Sequence, residues 1–289
     1  MKNTLPPAHY MESHKSIYLL FRRTPALTIP ISQLKTTFIL LASFGLLLAS
    51  QFSLAQETLV GLTSNGGPEG KGTAFSIKTD GTGFAIVKGF SDWGKNPTGG
   101  LIQGTDGSYY GMTSAGGSYN NYGTIFKITS TGELTILRQL NYATDGGYPN
   151  GDLTLGTDGN LYGLTNAGGA NSIGTIFKIT PTGTFTVLRS FSNATDGGKP
   201  AGTMVLGADG NFYGITRIGG SSGYGTIFKI TPAGIYTVIK SLNGTTDGGY
   251  CYGSLAKASD GNFYGITYQG GSGSYGTISK SLRLAFTLY

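Results

Sequence analysis

The sequence predicts an all-β protein: a β-propeller-like array of about five four-stranded blades, closed or left as an arc, behind an N-terminal signal segment. Three observations lead there. A motif of the form GTIFKIT starts at Gly72, Gly123, Gly174, Gly225 and Gly276, an interval of 51 residues each time. Each unit breaks into short runs rich in Ile, Phe, Val, Leu, Thr and Tyr, the composition of strands. Within those runs consecutive residues such as Ile176 and Phe177 are both apolar, so both faces of the sheet must be covered. A period near 50 with four strands matches a propeller blade. A β-solenoid, the alternative, is built from shorter coils.

Residues 1–55 read as a targeting segment and residues 56–289 as the repeat domain. An apolar core from about Phe38 to Ala49 follows Lys35. It is shorter than the roughly 20 residues that span a bilayer, and suits the core of a secretory signal peptide. Ser53-Leu54-Ala55 offers small residues for cleavage, which would leave Gln56 as the new terminus. The stretch before the core is long, so Met11 is an alternative start, and an uncleaved anchor is the alternative fate. No other stable membrane span is expected.

The unit at residues 151–200 shows the blade plan. Strand A (151–156) turns through Thr157-Asp158-Gly159 into strand B (160–165). A longer loop leads to strand C (175–180), and a Pro181-Thr182-Gly183 turn to strand D (185–191). Glycine accepts the positive φ that such hairpin turns need. The first unit (about 58–90) supplies only B, C and D. The last supplies A, B and a C strand that decays into TISKSLRLAFTLY, whose final FTLY is available as strand D. Either five blades close with one inner strand missing, or the arc stays open and exposes strand edges.

Composition removes several function classes. The net charge of +6 is concentrated at the front; from residue 56 onward 15 basic residues face 13 acidic ones, with no basic run. Nucleic-acid binding therefore lacks its electrostatic footprint. Cys251 is the only cysteine, which forbids an internal disulfide, and it occupies the repeat position of Pro149 and Pro200. His9 and His14 both precede the signal core, so the mature part lacks Ser-His-Asp and Cys-His chemistry and the usual zinc ligands. No catalytic residue and no metal site is expected.

The recurring acids read as turn residues. Asp106, Asp158, Asp209 and Asp260 begin the DGN-type turns, where a carboxylate accepts backbone N–H groups. Asp145, Asp196 and Asp247 in the TDGG loops can do the same, or join backbone carbonyls around Ca²⁺, although one carboxylate per loop is a sparse calcium site. Tyr110, Tyr162, Tyr213 and Tyr264 read as core residues whose hydroxyls bond backbone. Gly163 and Gly214 stand mid-strand, where glycine marks the close approach of another group.

A meander places the A–B and C–D turns on one edge of the blade and the B–C and D–A loops on the other. The second set is longer and more variable, as binding loops are. It carries the candidate ligand residues Tyr119, Asn120, Asn121, Tyr122, Tyr148, Asn171, Lys199, Tyr224, Tyr250, Tyr252 and Tyr275. Tyrosine and asparagine suit sugar rings through stacking and hydrogen bonds to hydroxyls. The plainer alternative is that these tyrosines cover loop backbone.

The repeated pattern G-x-L-x(4)-DGN-x-YG-x-T-x-x-GG-x(4)-GTIFKITP-x-G-x-x-TVL-x-SF, over residues 58 to about 280, resembles the GloVer repeat, a family of tandem repeats in secreted bacterial proteins. Its DGN-x-YG part also looks like propeller blades of two-component regulators, and more weakly like kelch blades. The resemblance implies export and often a C-terminal sorting signal, but no known activity. The SLRLAFTLY end lacks a Pro-Glu-Pro element and a hydrophobic tail. The expectation is a secreted or surface binding scaffold for glycans or a surface protein. A secreted carboxylate-dependent polysaccharide hydrolase or lyase, and a structural surface array, are the alternatives.

Overall fold

The computed structural model describes residues 17–19, 58–118, 120–271 and 273–281. The signal core, the Ala55 cleavage position, both histidines, Tyr119 and the final FTLY lie outside these residues. Among the described residues there are strands and no helices, and hence no helix long and apolar enough to cross a membrane.

Among the described residues five antiparallel sheets follow one another, each a meander. The first holds β1 (Ile17–Leu19), β2 (Thr58–Thr63), β3 (Thr73–Lys78) and β4 (Ala85–Gly89); the second β5 (Lys95–Gln103), β6 (Tyr109–Ala115), β7 (Thr124–Ile128) and β8 (Leu134–Gln139). The third holds β9 (Gly147–Pro149), β10 (Thr154–Leu155), β11 (Leu161–Ala167), β12 (Thr175–Ile179) and β13 (Phe185–Ser190). The fourth holds β14 (Gly198–Leu206), β15 (Phe212–Ile218), β16 (Thr226–Ile230) and β17 (Tyr236–Ser241); the fifth β18 (Ala256–Lys257), β19 (Phe263–Ile266) and β20 (Ile278–Ser281).

Two features differ from the sequence expectation. The inner strand starts earlier: β14 begins at Gly198, inside the GGKP stretch that reads as loop. The misreading has a cause, because Asn96, Tyr148, Lys199 and Tyr250 hold positive φ at this point of four successive blades. Each donates its N–H to the B–C loop of the preceding blade, Tyr148 to Tyr122 O at 2.9 Å and Lys199 to Ile173 O at 2.8 Å. The second difference is in the first blade, whose open B edge is paired by β1, with Ile17 opposite Thr63. An unpaired edge presents N–H and C=O groups to any extended segment. Since β1 lies within residues 1–55, cleavage after Ala55 would return β2 to an open edge.

The core lies between blades. Tyr110, Met112, Ile125 and Leu140 of the second blade pack on Leu153, Leu161, Phe177 and Ile179 of the third. Equivalent residues join the third blade to the fourth, the first to the second and the fourth to the fifth. Each of the second, third and fourth blades thus has a forward face, with Tyr-x-apolar on strand B plus Ile on strand C. It also has a rear face, with Phe-x-Ile on strand C. Cys251, in the fourth junction, is 2% exposed, and burial pushes its thiol up to about 11. It serves as a small apolar filler at the proline position.

Mid-strand glycine has its reason in the rear face. Gly163 pairs with Phe177 across the sheet, and a Cβ there would lie 2.4 Å from the Phe177 ring. Gly214 faces Phe228 in the same way, also at 2.4 Å.

Candidate functional site

The two edges of the blades do different work. On the A–B edge, Asp158 accepts the Asn160 N–H at 3.2 Å, the Asn160 side-chain amide at 2.7 Å and the Tyr162 hydroxyl at 2.7 Å. Asp209 and Asp260 repeat the arrangement with Asn211 and Tyr213, and with Asn262 and Tyr264. Asp106 has Ser108 in place of asparagine; Lys127 reaches it instead at 2.8 Å, alongside Tyr110. The tyrosine hydroxyls therefore meet the turn carboxylate, not the backbone as the sequence suggests. Burial acts to raise the Asp106 carboxyl, but Lys127, Tyr110 and the Ser108 N–H outweigh it and hold it at about 2. Asp158 and Asp209 are lowered too, hydrogen bonds outweighing burial; burial and then the facing carboxylate push Tyr162 and Tyr213 up. This edge is a set of closed turns with its polar groups satisfied.

On the opposite edge the TDGG loops lock one blade to the next. Arg138 grips Asp145 through Nε at 2.9 Å and Nη2 at 2.8 Å, and the Asn141 N–H adds a third bond. Arg189 holds Asp196 in the same bidentate way, and Lys240 holds Asp247 at 2.9 Å. The backbone carbonyls of Asp145, Asp196 and Asp247 accept the hydroxyls of Thr175, Thr226 and Thr277 of the following blade, each at 2.7 Å. Arg138 also stacks on Phe185, and Arg189 on Tyr236, one blade further on. The carboxylates the sequence offers for calcium thus receive guanidinium, ammonium and N–H donors.

The candidate ligand residues divide by what they touch. Tyr122 packs on Gly147, where an added Cβ would lie 3.2 Å from it, and Tyr224 packs on Gly244 and Gly249, where an added Cβ would lie 2.5 and 2.7 Å from it. These two cover loop backbone of the next blade. Asn121 accepts the Gly116 N–H at 2.6 Å within its own loop, and Asn171 donates to Phe191 O at 2.9 Å, tying the B–C loop to the end of strand D. Asn120 is exposed, and Lys199 half-buried, at the inner strand. Tyr148 joins Tyr122 and Tyr142 in a three-ring cluster, with centroids 4.9 to 6.4 Å apart. Tyr250 stands edge-on to Tyr224 at 5.6 Å, and Tyr275 is 95% exposed.

A further cluster centres on Tyr252. Its ring lies under the Arg217 guanidinium at 4.8 Å and edge-on to Tyr268 at 5.3 Å. Tyr252 is 55% and Tyr268 64% exposed. Arg217 Nε is buried without a hydrogen-bond partner. Sequence reasoning missed Arg217, Tyr268 and Tyr142. The signal was present for the first: Arg217 stands where the other units have Ser64, Ser114, Asn166 and Tyr268, a cation breaking the repeat.

Blades of this form, stacked through apolar faces and edged by loops, define a β-propeller-like repeat scaffold. The chain belongs to the Gloeobacter/Verrucomicrobia repeat family, whose model matches residues 45–207 and 98–282. Among curated proteins none matches it. Solved structures similar to it include the GH74 enzyme of Niastella koreensis, at 18% identity and TM-score 0.53 over 77% of this chain and 34% of that one. The extracellular domain of a hybrid two-component system of B. thetaiotaomicron aligns at 13% identity and TM-score 0.51, over 78% of this chain and 26% of that one. A nidogen/laminin complex aligns at 13% and 0.50, over 78% and 76%. At these identities the likeness is one of fold.

Proposed function

We propose that the chain is an exported binding scaffold that holds glycans on the edge formed by the B–C and D–A loops. One observation carries the proposal: Tyr252 and Tyr268 present exposed rings edge to face, with the Arg217 guanidinium over the Tyr252 ring. Flat aromatic faces accept the apolar face of a sugar ring, and N–H donors reach its oxygens. The opposite edge offers no such surface, because its carboxylates and tyrosines bond one another. A surface-protein partner is the second reading, favoured by the same tyrosine and arginine content, which is that of interface hot spots. Extracellular domains among the structural neighbours fit export.

The test is a polysaccharide and oligosaccharide binding screen on protein recovered after expression of the full chain. Tyr252→Ala and Tyr268→Ala are expected to weaken a bound glycan about tenfold or more, given about 1–2 kcal/mol for an aromatic contact. Asn160→Ala, on the other edge, leaves binding unchanged. No glycan bound in the screen, or binding lost only with Asn160→Ala, overturns the proposal; release of cleaved sugars establishes the hydrolase or lyase instead. Intact mass of the recovered protein tests export, with Gln56 as the expected first residue.

A further inference from the structure

The fourth blade carries two cations that no acid among the described residues answers. Arg217 lies on β15 and Lys199 on β14, and the register sets them opposite each other, between the pairs Gly198–Ile218 and Pro200–Thr216. The same two positions hold Asn96 and Ser114 in the second blade, Tyr148 and Asn166 in the third, and Tyr250 and Tyr268 in the fifth. Arg138 and Arg189 each grip a carboxylate, whereas Arg217 makes neither an ion pair nor a hydrogen bond, and Lys199 Nζ makes none either. The acids of the neighbouring TDGG loops are committed elsewhere: Asp196 to Arg189 and the Ser192 N–H, Asp247 to Lys240 and the Asn243 N–H. Arg217 Nε is buried, its terminal nitrogens are not, and the guanidinium is held over the Tyr252 ring at 4.8 Å. Like charges set opposite on neighbouring strands destabilise a sheet, and a buried N–H without an acceptor adds to that cost. From residue 56 onward 15 basic residues face 13 acidic ones, so the excess is local to this blade.

We propose, building on the glycan-scaffold reading, that Arg217 and Lys199 form a subsite for a sugar carboxylate, so that the ligand of this edge is an acidic glycan. A guanidinium presents its N–H groups as a planar fork that matches the two oxygens of a carboxylate, and such bonds are charge-assisted. The fork is positioned before a ligand arrives, because it rests on Tyr252, and Tyr252 follows Cys251, which is buried in the fourth junction. A carboxylate here answers both cations and removes their repulsion; a neutral sugar leaves the two charges as they are. The exposed Tyr268 ring, 5.3 Å from Tyr252, is placed to take the apolar face of the sugar that bears the acid. That aromatic surface favours a sugar acid over the carboxylate of an acidic peptide.

The test measures binding of oligogalacturonate, alginate and hyaluronate oligomers to protein recovered after expression of the full chain. Each is compared with the same oligomer after its carboxyl groups are reduced to alcohols. At least one acidic oligomer is expected to bind about tenfold or more tighter than its reduced form, the scale of a charge-assisted contact. Arg217→Gln is expected to abolish that preference while the reduced form binds as before; Arg217→Lys keeps part of it, and Lys199→Gln diminishes it. Since Arg217 has no polar partner, its replacement is expected to leave the melting temperature where it is. Lys229→Gln removes the same charge from β16 of the same blade and is expected to leave the preference intact; a loss there means general charge attraction and overturns the proposal. Acidic and reduced oligomers bound equally, with Tyr252→Ala or Tyr268→Ala weakening both, overturn the acidic ligand and leave the glycan scaffold standing. Poly-glutamate bound as tightly as the oligomers overturns it in favour of a protein partner. No oligomer bound, acidic or neutral, overturns both readings.

Discussion

Gly163→Ala probes how tightly the blades are packed. The added Cβ would lie 2.4 Å from Phe177 Cζ and 3.0 Å from Leu153 Cδ2, and those side chains are 0% and 2% exposed. Carbon atoms prefer about 3.5–4.0 Å, so the overlap with the ring exceeds about 1 Å. The ring cannot simply swing away, because Phe185 stacks on it at 5.0 Å. Overpacking of this kind costs about 1–3 kcal/mol. Against it stands about 0.4–1 kcal/mol gained by removing a glycine from the unfolded chain. The net is about 1–2 kcal/mol, which at this chain length lowers the melting temperature by about 3–6 °C. Gly265 supplies the control. Its pairing partner is Ser279, at the repeat position of Phe177, and the nearest atoms to an added Cβ are Leu255 Cδ2 at 3.2 Å and Ile215 Cδ1 at 3.4 Å. Gly265→Ala is expected to leave the melting temperature unchanged or raise it by about 1–2 °C. Calorimetry on both variants decides the matter: equal losses, or no loss at Gly163, would refute the argument that the aromatic ring excludes the side chain.

Other perturbations follow from the same contacts. Ser279→Phe puts at the strand partner of Gly265 the residue that the third and fourth blades carry there as Phe177 and Phe228, and is expected to raise the melting temperature by about 2–4 °C for about 1 kcal/mol. A lower value would mean that the fifth blade has no room for the ring. Asp145→Ala strands the Arg138 guanidinium and the Asn141 N–H; with Arg138 41% exposed, the expected cost is about 2 kcal/mol, below that of a fully buried pair, read by urea unfolding. The lowered carboxyls of Asp106, Asp158 and Asp209 contribute stability that is present above the unfolded value near pH 4 and lost as pH falls toward about 2. Tyr162→Phe with Tyr213→Phe should flatten that acid limb of a melting-temperature profile, and an unchanged limb would show that the hydroxyls do not hold the carboxylates. Since the TDGG carboxylates are gripped by Arg138, Arg189 and Lys240, excess EDTA or millimolar Ca²⁺ is expected to leave the melting temperature where it is; a rise with Ca²⁺ would restore the calcium reading.

Much of the fold is legible because it is local. The DGN and Pro-x-Gly turns need glycine at fixed offsets, and the strands between them carry apolar residues on both faces. Gly163 announces a crowded neighbour without naming it. What the sequence hides crosses from one element to another. The Tyr162–Asp158 bond closes only when a hairpin brings positions four apart onto one edge. The Arg138–Asp145 grip and the Thr175 bond to Asp145 O join strand, loop and next blade over 7 and 30 residues, with no short motif to mark them. The inner strand is disguised by its left-handed residues, Tyr148 and Lys199, which read as loop and yet sit within strands.

Repetition and its exceptions carry different information in such a chain. A residue kept in every blade answers a demand made at every junction, as Thr165 and Thr175 do with their buried hydroxyl pair at 2.9 Å, matched by Thr216 and Thr226 at 2.9 Å. Such a residue says little about a ligand, which meets the array at one place. Departures are where a particular partner can be written. Arg217 introduces a cation at a position that is small, polar or aromatic in the other units, and Tyr252 and Tyr268 gather beside it. Ser279 departs in the opposite sense, removing a ring that the third and fourth blades bury. Tyr122 and Tyr224 resemble ligand residues by type, yet they recur at one repeat position and rest on glycine backbone. Position in the repeat, more than residue type, therefore separates a binding tyrosine from a packing one, and it directs mutagenesis to Tyr252 and Tyr268 first.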